Sequence, residues 1–389
     1  MTEVKEPYLV FGQPRFGPEE IAEVVDCLER GWVGTGPKVA EFERCFAARA
    51  GARHAVAVNS CTAALHLSML VSGIGPGDEV ITTAMTFVST VNAILHTGAT
   101  PVLVDCDRST GLMLPDHVLG AVTARTRAIV PVHLYGRVCD MDALQRIARR
   151  HDLIVIEDAA HAIEATHSGR KVGTMSDLTC FSFYATKNMS TGEGGMVTTA
   201  RSDLADRLKV FALHGLSRDA WRRFSDEGYL HYQMVDLGYK YNMMDLQAAL
   251  GLHQLRRLDE WLVRREEVWS RYDEAFAGLL VGLPPAAEPG NRHARHLYTL
   301  TIDPDVAGID RDTFMQRLHG RGIGTGVHYR GVHLHQYYRD RFGYAPGDFP
   351  NATWISERTV SLPLSPHLDE MQVRRVLRAV PAALATGKE

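Results

Sequence analysis

Two charged residues stand where runs of apolar residues end. Asp158 closes the segment LIVIED (153–158), and Lys187 follows FSFY (181–184) in FSFYATKNMSTGEGGM. Each alone has an ordinary explanation, since an aspartate caps turns and a loop lysine is solvated. Together, a lysine that forms a covalent imine and a carboxylate that pairs with a protonated pyridine nitrogen are the minimum set for pyridoxal phosphate (PLP) chemistry. The pair therefore predicts a PLP site with Lys187 and Asp158 as catalytic residues.

A phosphate site is expected where VNSCTAAL (58–65) passes from a strand into a helix. The first backbone N–H groups of that helix, with the hydroxyls of Ser60 and Thr62, would face an anion. Ser182 is a further hydroxyl candidate, and Phe87 follows another strand end, where it could stack on a pyridine ring. The alternatives are a simple helix cap by Ser60 and a core position for Phe87.

Metal and nucleotide-loop chemistry have less support. The run VHYRGVHLHQYY (327–338) contains three histidines but lacks the H-E-x-x-H spacing, so no metal site is predicted. The same run, extended through RDRF, carries three arginines, which form either a cationic strip for a phosphorylated substrate or a solvated basic face. No G-x-x-x-x-G-K-[ST] occurs, and no G-x-G-x-x-G follows a strand.

The elements that must position these residues alternate between strand and helix. The predicted helices are 18–31, 37–51, 61–73, 87–98 and 141–151, and the predicted strands are 54–58, 79–83, 101–105, 128–133, 153–158, 179–184 and 194–199. Short apolar runs separated by helices indicate an α/β fold whose mostly parallel sheet is covered on both faces. A long helical pattern to about residue 279 and a loop at 280–296 lead to a smaller α+β region.

Length and composition limit the remaining classes. At 389 residues the chain exceeds the roughly 250–300 residues at which single cores stop growing, so two domains are expected. A net charge of −4 gives no field for nucleic acid. No apolar run approaches the ~20 residues of a membrane span, and the start lacks the pattern of a signal peptide. Six scattered cysteines without a C-x-x-C pair are typical of reduced thiols, which favours a cytoplasmic protein.

Taken in order, the motifs resemble those of one family. They include GWVGTGPKVAEFE, AVAVNSCTAALH, GPGDEVITTAMTFVST, VPVHLYGR, VIEDAAHA, FSFYATKN, GEGGM, LGYKYNMMDLQAALGLHQL, GIGTGVHY and SLPLSP, spread over about residues 8–380. These segments are similar to the sugar aminotransferases of the DegT/StrS type, which are fold-type-I PLP enzymes. GYKYN, HYRGVHLHQYYRDRF and WISERTVSLPL carry the strongest likeness to the branch that includes the enzyme making UDP-linked 4-amino-4-deoxy-arabinose.

The resemblance implies an architecture for the whole chain. A large PLP-binding α/β domain at 13–250 would contain a mostly parallel seven-stranded sheet. A smaller C-terminal α+β domain would occupy 251–389, with the N-terminal segment 1–12 packing on it. The family also implies a homodimer with two active sites at the subunit interface.

The resemblance further implies roles for individual residues. Three residues would be catalytic: Lys187 would bond the cofactor and carry protons, Asp158 would pair with the pyridine nitrogen, and His161 takes the place near the phenolic oxygen where many relatives have glutamine. The other positions expected are Cys61, Thr62, Phe87, Ala160, Ser182 and Asn242 for the cofactor, and Thr35, His328 and Tyr329 for the substrate. Because GYKYNM departs from the GYNYRM of many relatives, the sequence leaves open whether Lys240 or Asn242 reaches the partner's cofactor phosphate.

The activity implied is transfer of an amino group from L-glutamate to a nucleotide-linked 4-keto-6-deoxy sugar on dTDP or UDP. A 3-keto sugar is the alternative within the class. Some relatives replace the lysine with histidine and perform a dehydration, so a PLP-dependent sugar dehydratase is a second alternative, which Lys187 disfavours. A non-enzymatic regulator would need a DNA-binding module, and the sequence contains no basic helix-turn-helix region.

Overall fold

The computed structural model describes residues 7–217 and 233–385. The helices are α1 (Pro18–Glu29), α2 (Pro37–Ala50), α3 (Cys61–Val71), α4 (Val88–His96), α5 (Pro115–Gly120), α6 (Met141–His151), α7 (Ser202–Ala212), α8 (Asp245–Phe276), α9 (Pro304–Ala307), α10 (Arg311–Gly320), α11 (Gln336–Phe342), α12 (Pro350–Arg358) and α13 (Glu370–Leu384). The strands are β1 (His54–Val58), β2 (Glu79–Thr83), β3 (Thr100–Val104), β4 (Thr126–Val130), β5 (Ile154–Asp158), β6 (Thr166–His167), β7 (Arg170–Lys171), β8 (Leu178–Ser182), β9 (Gly195–Thr199), β10 (Tyr298–Thr301) and β11 (Thr359–Leu362).

Seven strands form one sheet in the order β1-β9-β8-β5-β4-β2-β3. The pairs β2–β3, β2–β4, β4–β5 and β5–β8 are parallel, whereas β9 runs antiparallel to both of its neighbours. This mostly parallel sheet confirms the predicted α/β class and the number of strands. The predicted strand 128–133 instead ends at Val130, because Pro131 has no N–H with which to continue the ladder.

Apolar side chains cover both faces of this sheet. β2 is buried along its whole length, and β5 is buried from its second residue onward. Helices α3 and α7 pack on one face, while α2, α6 and the first part of α8 pack on the other. Since both faces are covered, polar ligands have access mainly at the strand ends.

The long helix α8 contributes to two hydrophobic cores. Leu252 packs against the large sheet, whereas Trp269 packs in a separate core with β10, β11, α10 and α13. Leu9 belongs to that second core and pairs with Ile323. The helix passes through residue 250, so the division into 13–250 and 251–389 stays a prediction; residues 1–6 of the N-terminal segment lie outside the described residues.

Several elements have no counterpart in the sequence prediction. The hairpin β6–β7 has strands of only two residues, too short to show an alternating pattern. The helical pattern predicted to about residue 279 ends at Phe276.

Within the two described ranges, no helix combines the length and the apolar character needed to cross a bilayer.

Candidate active site

The predicted catalytic pair lies in a cavity of about 610 Å³ beyond the carboxyl ends of β5 and β8. Ligands of open α/β sheets bind at this edge. Ten of the residues expected to bind cofactor or substrate line the cavity: Cys61, Thr62, Phe87, Asp158, Ala160, His161, Ser182, Lys187, His328 and Tyr329. Thr35 and Asn242 are not part of this lining. They contact each other instead, with Asn242 Nδ2 donating to Thr35 Oγ1 at 2.6 Å.

Asp158 occupies the last position of β5, where it is 5% exposed. Thr90 Oγ1 donates to Asp158 Oδ2 at 2.8 Å, and the backbone N–H of Ala160 donates to Oδ1 at 3.1 Å. Burial raises the pKa of Asp158, while these two hydrogen bonds and the charge of Lys187 oppose that rise. A cationic N–H in the cavity would add to these opposing effects and favour the ionised carboxylate.

The buried side chains of His133 and Glu157 are hydrogen-bonded to each other next to Asp158. The backbone N–H of His133 donates to the Asp158 carbonyl at 3.0 Å. The backbone N–H of Cys139 donates to His133 Nδ1 at 3.3 Å, so the ring hydrogen lies on Nε2, which donates to Glu157 Oε2 at 2.6 Å. Burial opposes ionisation of Glu157, but hydrogen bonds, that from His133 foremost, lower its pKa. The arrangement fixes the backbone at the end of β5.

Lys187 lies in the connection between β8 and β9. Its backbone N–H donates to the Tyr184 carbonyl at 2.9 Å, and the chain returns with the N–H of Thr191 bonded to the Phe183 carbonyl at 2.9 Å. Burial lowers the pKa of Lys187 to about 8. Because this pKa is near neutrality, a substantial fraction of the amine is uncharged and nucleophilic under mildly alkaline conditions.

Asn188, the residue after Lys187, fixes this connection by hydrogen bonds to distant parts of the chain. Asn188 Nδ2 donates to Glu164 Oε2 at 2.7 Å and to a backbone carbonyl of the loop before β10 at 3.0 Å. The Asn188 Oδ1 atom therefore accepts from His296 Nδ1, 2.8 Å away. Glu164 in turn pairs with Arg265 of α8, and both side chains are buried. These contacts tie the position of Lys187 to α8 and to the loop before β10.

The start of α3 lines the cavity, and its first two backbone N–H groups have no hydrogen-bond partner in the part of the chain that the structure describes. Ser60 caps the helix, since its Oγ accepts from the Ala63 N–H at 3.1 Å. Cys61 and Thr62, the first two helical residues, line the cavity, and their N–H groups have no partner within the helix. Gly195 passes close to this turn: a Cβ there would lie 2.5 Å from the Ser60 carbonyl carbon. The glycine thus allows β9 to pass against the start of α3, whose N–H groups are of the kind that bind an anion.

His161, Tyr135 and Tyr329 form a hydrogen-bonded group at the cavity. The backbone N–H of Tyr135 donates to His161 Nδ1 at 3.1 Å, and His161 Nε2 lies 3.0 Å from the Tyr329 hydroxyl. The ring of Phe87 lies 5.6 Å from that of Tyr329, centroid to centroid. Burial lowers the pKa of His161 well below its ordinary value, and the nearby charge of Lys187 acts in the same direction. The imidazole is therefore neutral.

Two further histidines share this environment. Burial lowers the pKa of His328 to about 4, and it lowers the pKa of His296 well below the usual range. The charge of Lys187 adds to both shifts. His333, from the same sequence run as His328, lies elsewhere and contacts Thr353 Oγ1 at 2.8 Å. In the described part of the chain, no group of three His, Cys, Asp or Glu residues is arranged to hold a metal.

Sequence reasoning did not identify Thr90, Tyr135 or His296 as site residues. Thr90 lies inside the predicted helix 87–98 and reaches Asp158 only through the packing of α4 on the sheet. Tyr135 belongs to the motif VPVHLYGR, which offered a signal, but its contact with His161 depends on a left-handed backbone (φ 61°). His296 lies in a loop rich in proline and glycine, where periodicity carries no information.

Comparison with known proteins gives matches along the whole chain. The model of the DegT/DnrJ/EryC1/StrS aminotransferase family matches residues 14–381. The spore coat polysaccharide biosynthesis protein SpsC of Bacillus subtilis (strain 168) is 51% identical over 381 residues, which cover 98% of each chain. The putative sugar aminotransferase Spr1654 from Streptococcus pneumoniae, solved in PLP and PMP forms, is 34% identical, with a TM-score of 0.89 over 97% of this chain and 98% of that one.

A further solved structure, DesV from S. venezuelae, is 38% identical, with a TM-score of 0.86 over 95% of each chain. These matches confirm the family that the motifs resemble, and they confirm PLP as the cofactor. They also accord with the lysine and aspartate that meet in one cavity. The chain therefore belongs to the DegT/DnrJ/EryC1/StrS aminotransferase family and is a PLP-dependent sugar aminotransferase.

Proposed function

We propose that this enzyme transfers an amino group from L-glutamate to a 4-keto-6-deoxy sugar linked to dTDP or UDP. The observation that carries the proposal is the presence of the Lys187 amine and the Asp158 carboxylate in one cavity of a sugar aminotransferase. The relative SpsC is named for polysaccharide biosynthesis, which is consistent with an activated sugar as substrate. The segments GYKYN and WISERTVSLPL, with their likeness to the 4-amino-arabinose branch, support the 4-position.

The residues of the cavity fit PLP. Each carboxylate oxygen of Asp158 accepts one hydrogen bond, which leaves lone pairs for a pyridine N–H. The open N–H groups at the start of α3, with the hydroxyls of Thr62 and Ser182, would hold the phosphate. Phe87 and Ala160 would pack against the two faces of the ring. PLP, when bound, supplies an electron sink for bond cleavage at the carbon that carries the amino group.

Lys187 is proposed to perform the proton transfers. Its Nζ takes the proton from the amino-bearing carbon of the donor, holds it, and later returns a proton to the acceptor carbon. A pKa of about 8 suits a group that must both accept and release a proton near neutrality. Asp158 stays ionised throughout and acts electrostatically. His161, neutral and hydrogen-bonded on both ring nitrogens, holds the cavity wall in place.

Substrate contacts are assigned to His328, Tyr329 and Thr35. His328 and Tyr329 line the cavity of their own chain, whereas Thr35 and Asn242 lie outside it. We therefore assign Thr35 and Asn242 to the site of a partner subunit, in a cytoplasmic homodimer with two shared active sites. The exposed Lys240 is the other candidate for the partner's phosphate.

A panel of ketones tests the substrate. The protein is incubated with PLP, L-glutamate and 4-keto and 3-keto sugars on dTDP and UDP, and the products are identified by mass spectrometry and NMR. The expected product is a 4-amino sugar nucleotide, formed together with an equal amount of 2-oxoglutarate. A 3-amino product would show that the substrate is a 3-keto sugar, and a deoxy sugar without nitrogen would show that the enzyme is a dehydratase. Lys187→Ala is the control and should yield no product.

A further inference from the structure

The hydrogen-bond geometry fixes where the hydrogen of His161 lies. A backbone N–H can only donate, so His161 Nδ1 accepts from Tyr135 at 3.1 Å and carries no hydrogen. Burial lowers the pKa of His161 well below its ordinary value, so the neutral ring has a single hydrogen, on Nε2. Nε2 therefore donates to the Tyr329 hydroxyl oxygen, 3.0 Å away.

The hydroxyl hydrogen of Tyr329 is consequently free to serve another acceptor. His161 is the only hydrogen-bond partner of this hydroxyl among residues 7–217 and 233–385. Burial raises the pKa of Tyr329, and the charge of Asp158 raises it further, so the phenol keeps its hydrogen. Since Tyr329 lines the cavity together with Lys187, the O–H group is available to what binds there.

We propose that Tyr329 is a catalytic hydrogen-bond donor to a charge-bearing oxygen in the cavity, and that His161 is the positioning residue that orients it. The inference rests on the proposed function and names a group that the reacting oxygen would meet. Two oxygens have the required chemistry, the phenolic oxygen of the cofactor and the ketone oxygen of the sugar. A donor fixed in advance stabilises such an oxygen without reorganisation as charge develops on it.

Tyr135 is hydrogen-bonded both to His161 and to the backbone next to Tyr329. Tyr135 binds His161 through its backbone N–H, and its side-chain hydroxyl donates to the backbone carbonyl of His328, the residue before Tyr329. Tyr135 does so with φ at 61°, in the left-handed region that a non-glycine residue seldom adopts without strain. The fold thus places one strained residue where it restrains both members of the His161–Tyr329 bond.

Tyr329→Phe tests the donor, because it removes the hydroxyl and keeps the ring. The first measurement is the pH titration of the absorbance of bound PLP, without substrate. Loss of a hydrogen bond to a charged oxygen of the cofactor should move the titration by roughly one pH unit or more. If the titration is unchanged, the single-turnover rate with the keto sugar should fall about tenfold or more, while the rate with L-glutamate changes by less than about twofold. That pattern would identify the ketone oxygen of the sugar as the acceptor of the Tyr329 hydrogen bond.

An unchanged titration combined with both half-reaction rates within about twofold of wild type overturns the proposal. If no keto sugar reacts with the wild-type enzyme, the substrate proposal has failed, and the titration alone then decides the role of Tyr329, since it needs only bound PLP. Tyr338→Phe is the matched control. Tyr338 is buried, its hydroxyl contacts Asn92 at 2.6 Å and it does not line the cavity, so removal of this hydroxyl should leave the titration unchanged.

His161→Phe tests the positioning role. Whichever of the two measurements Tyr329→Phe changes, the PLP titration or the rate with the keto sugar, His161→Phe should change in the same direction. Without the hydrogen bond from His161, the Tyr329 hydroxyl is no longer held in one orientation. In the double variant the effect should equal that of Tyr329→Phe alone, since His161 acts through the tyrosine. Independent effects that multiply in the double variant would overturn the positioning role. Thermal unfolding of each variant verifies that the comparison is made on folded protein.

Discussion

At the scale of single residues, the site holds two ionisable groups in surroundings that disfavour their charges. Burial raises the pKa of Asp158 and lowers the pKa of Lys187 to about 8. A core selected for stability would not retain such groups, whereas active sites commonly do. These unfavourable charges destabilise the cofactor-free protein, and a cationic ring bound beside Asp158 would offset part of that destabilisation.

Asp158→Asn should therefore inactivate the enzyme and yet stabilise the cofactor-free protein at neutral pH. The pKa of Asp158 is higher in the folded than in the unfolded state, so the aspartate is neutral and harmless at low pH and destabilising above its folded pKa. The gain in the free energy of unfolding should be seen at pH 7 by urea denaturation and should shrink as the pH falls toward about 4. Turnover should fall roughly 100-fold or more.

Near-normal turnover of Asp158→Asn would mean that the aspartate only accepts the hydrogen bonds of Thr90 and Ala160 and does not act on the cofactor. A loss of turnover together with a loss of stability at pH 7 would show that the substitution disrupts β5, and the electrostatic role would then lack support. Asparagine is close to aspartate in size, so packing changes are small in this comparison.

At the scale of elements, the approach of β9 to the start of α3 shapes the expected phosphate site. A Cβ on Gly195 would lie 2.5 Å from the Ser60 carbonyl carbon and 2.8 Å from the Cys61 nitrogen. These are backbone atoms, so the turn itself has to move. Gly195→Ala should cost about 1–3 kcal/mol of stability and lower PLP affinity about tenfold, measured by absorbance titration of the apoprotein.

Gly278→Ala is the matched control for this prediction. Gly278 follows α8, and a Cβ there would meet no atom within 4 Å, so PLP affinity and stability should stay at their wild-type values. Wild-type PLP binding by Gly195→Ala would show that the phosphate does not depend on the helix N-terminus. The prediction thus separates an anion site at α3 from a role of Ser60 as a helix cap alone.

The sequence predicts the parts of the site that strands carry directly. Asp158 and Lys187 were identifiable because a charge after an apolar run marks the end of a strand, and parallel strands end at one edge of a sheet. Thr90 and His296 were not, because their contacts with Asp158 and Asn188 arise from packing between elements distant in sequence. The left-handed backbone of Tyr135 is likewise imposed by its neighbours and is not signalled by its residue type.

At the scale of the whole molecule, one chain does not bring all predicted site residues together. Thr35 and Asn242 are hydrogen-bonded to each other and do not line the cavity. Asn242 also pairs with Val58 at the end of β1, which fixes it close to the large sheet. In the twofold dimer proposed above, this pair would serve the neighbouring site, because each subunit presents the same surface to the other.

Mixing two inactive variants tests this arrangement. In a heterodimer of Lys187→Ala and Asn242→Ala, a shared site would combine the intact Lys187 of one subunit with the intact Asn242 of the other. Random pairing should then restore roughly a quarter of wild-type turnover at limiting PLP, since half of the dimers carry one intact site of two. If Asn242 serves its own chain, no pairing contains an intact site and the mixture stays inactive. The same experiment with Lys240→Ala shows which of the two residues reaches across, because only the residue that does so gives complementation.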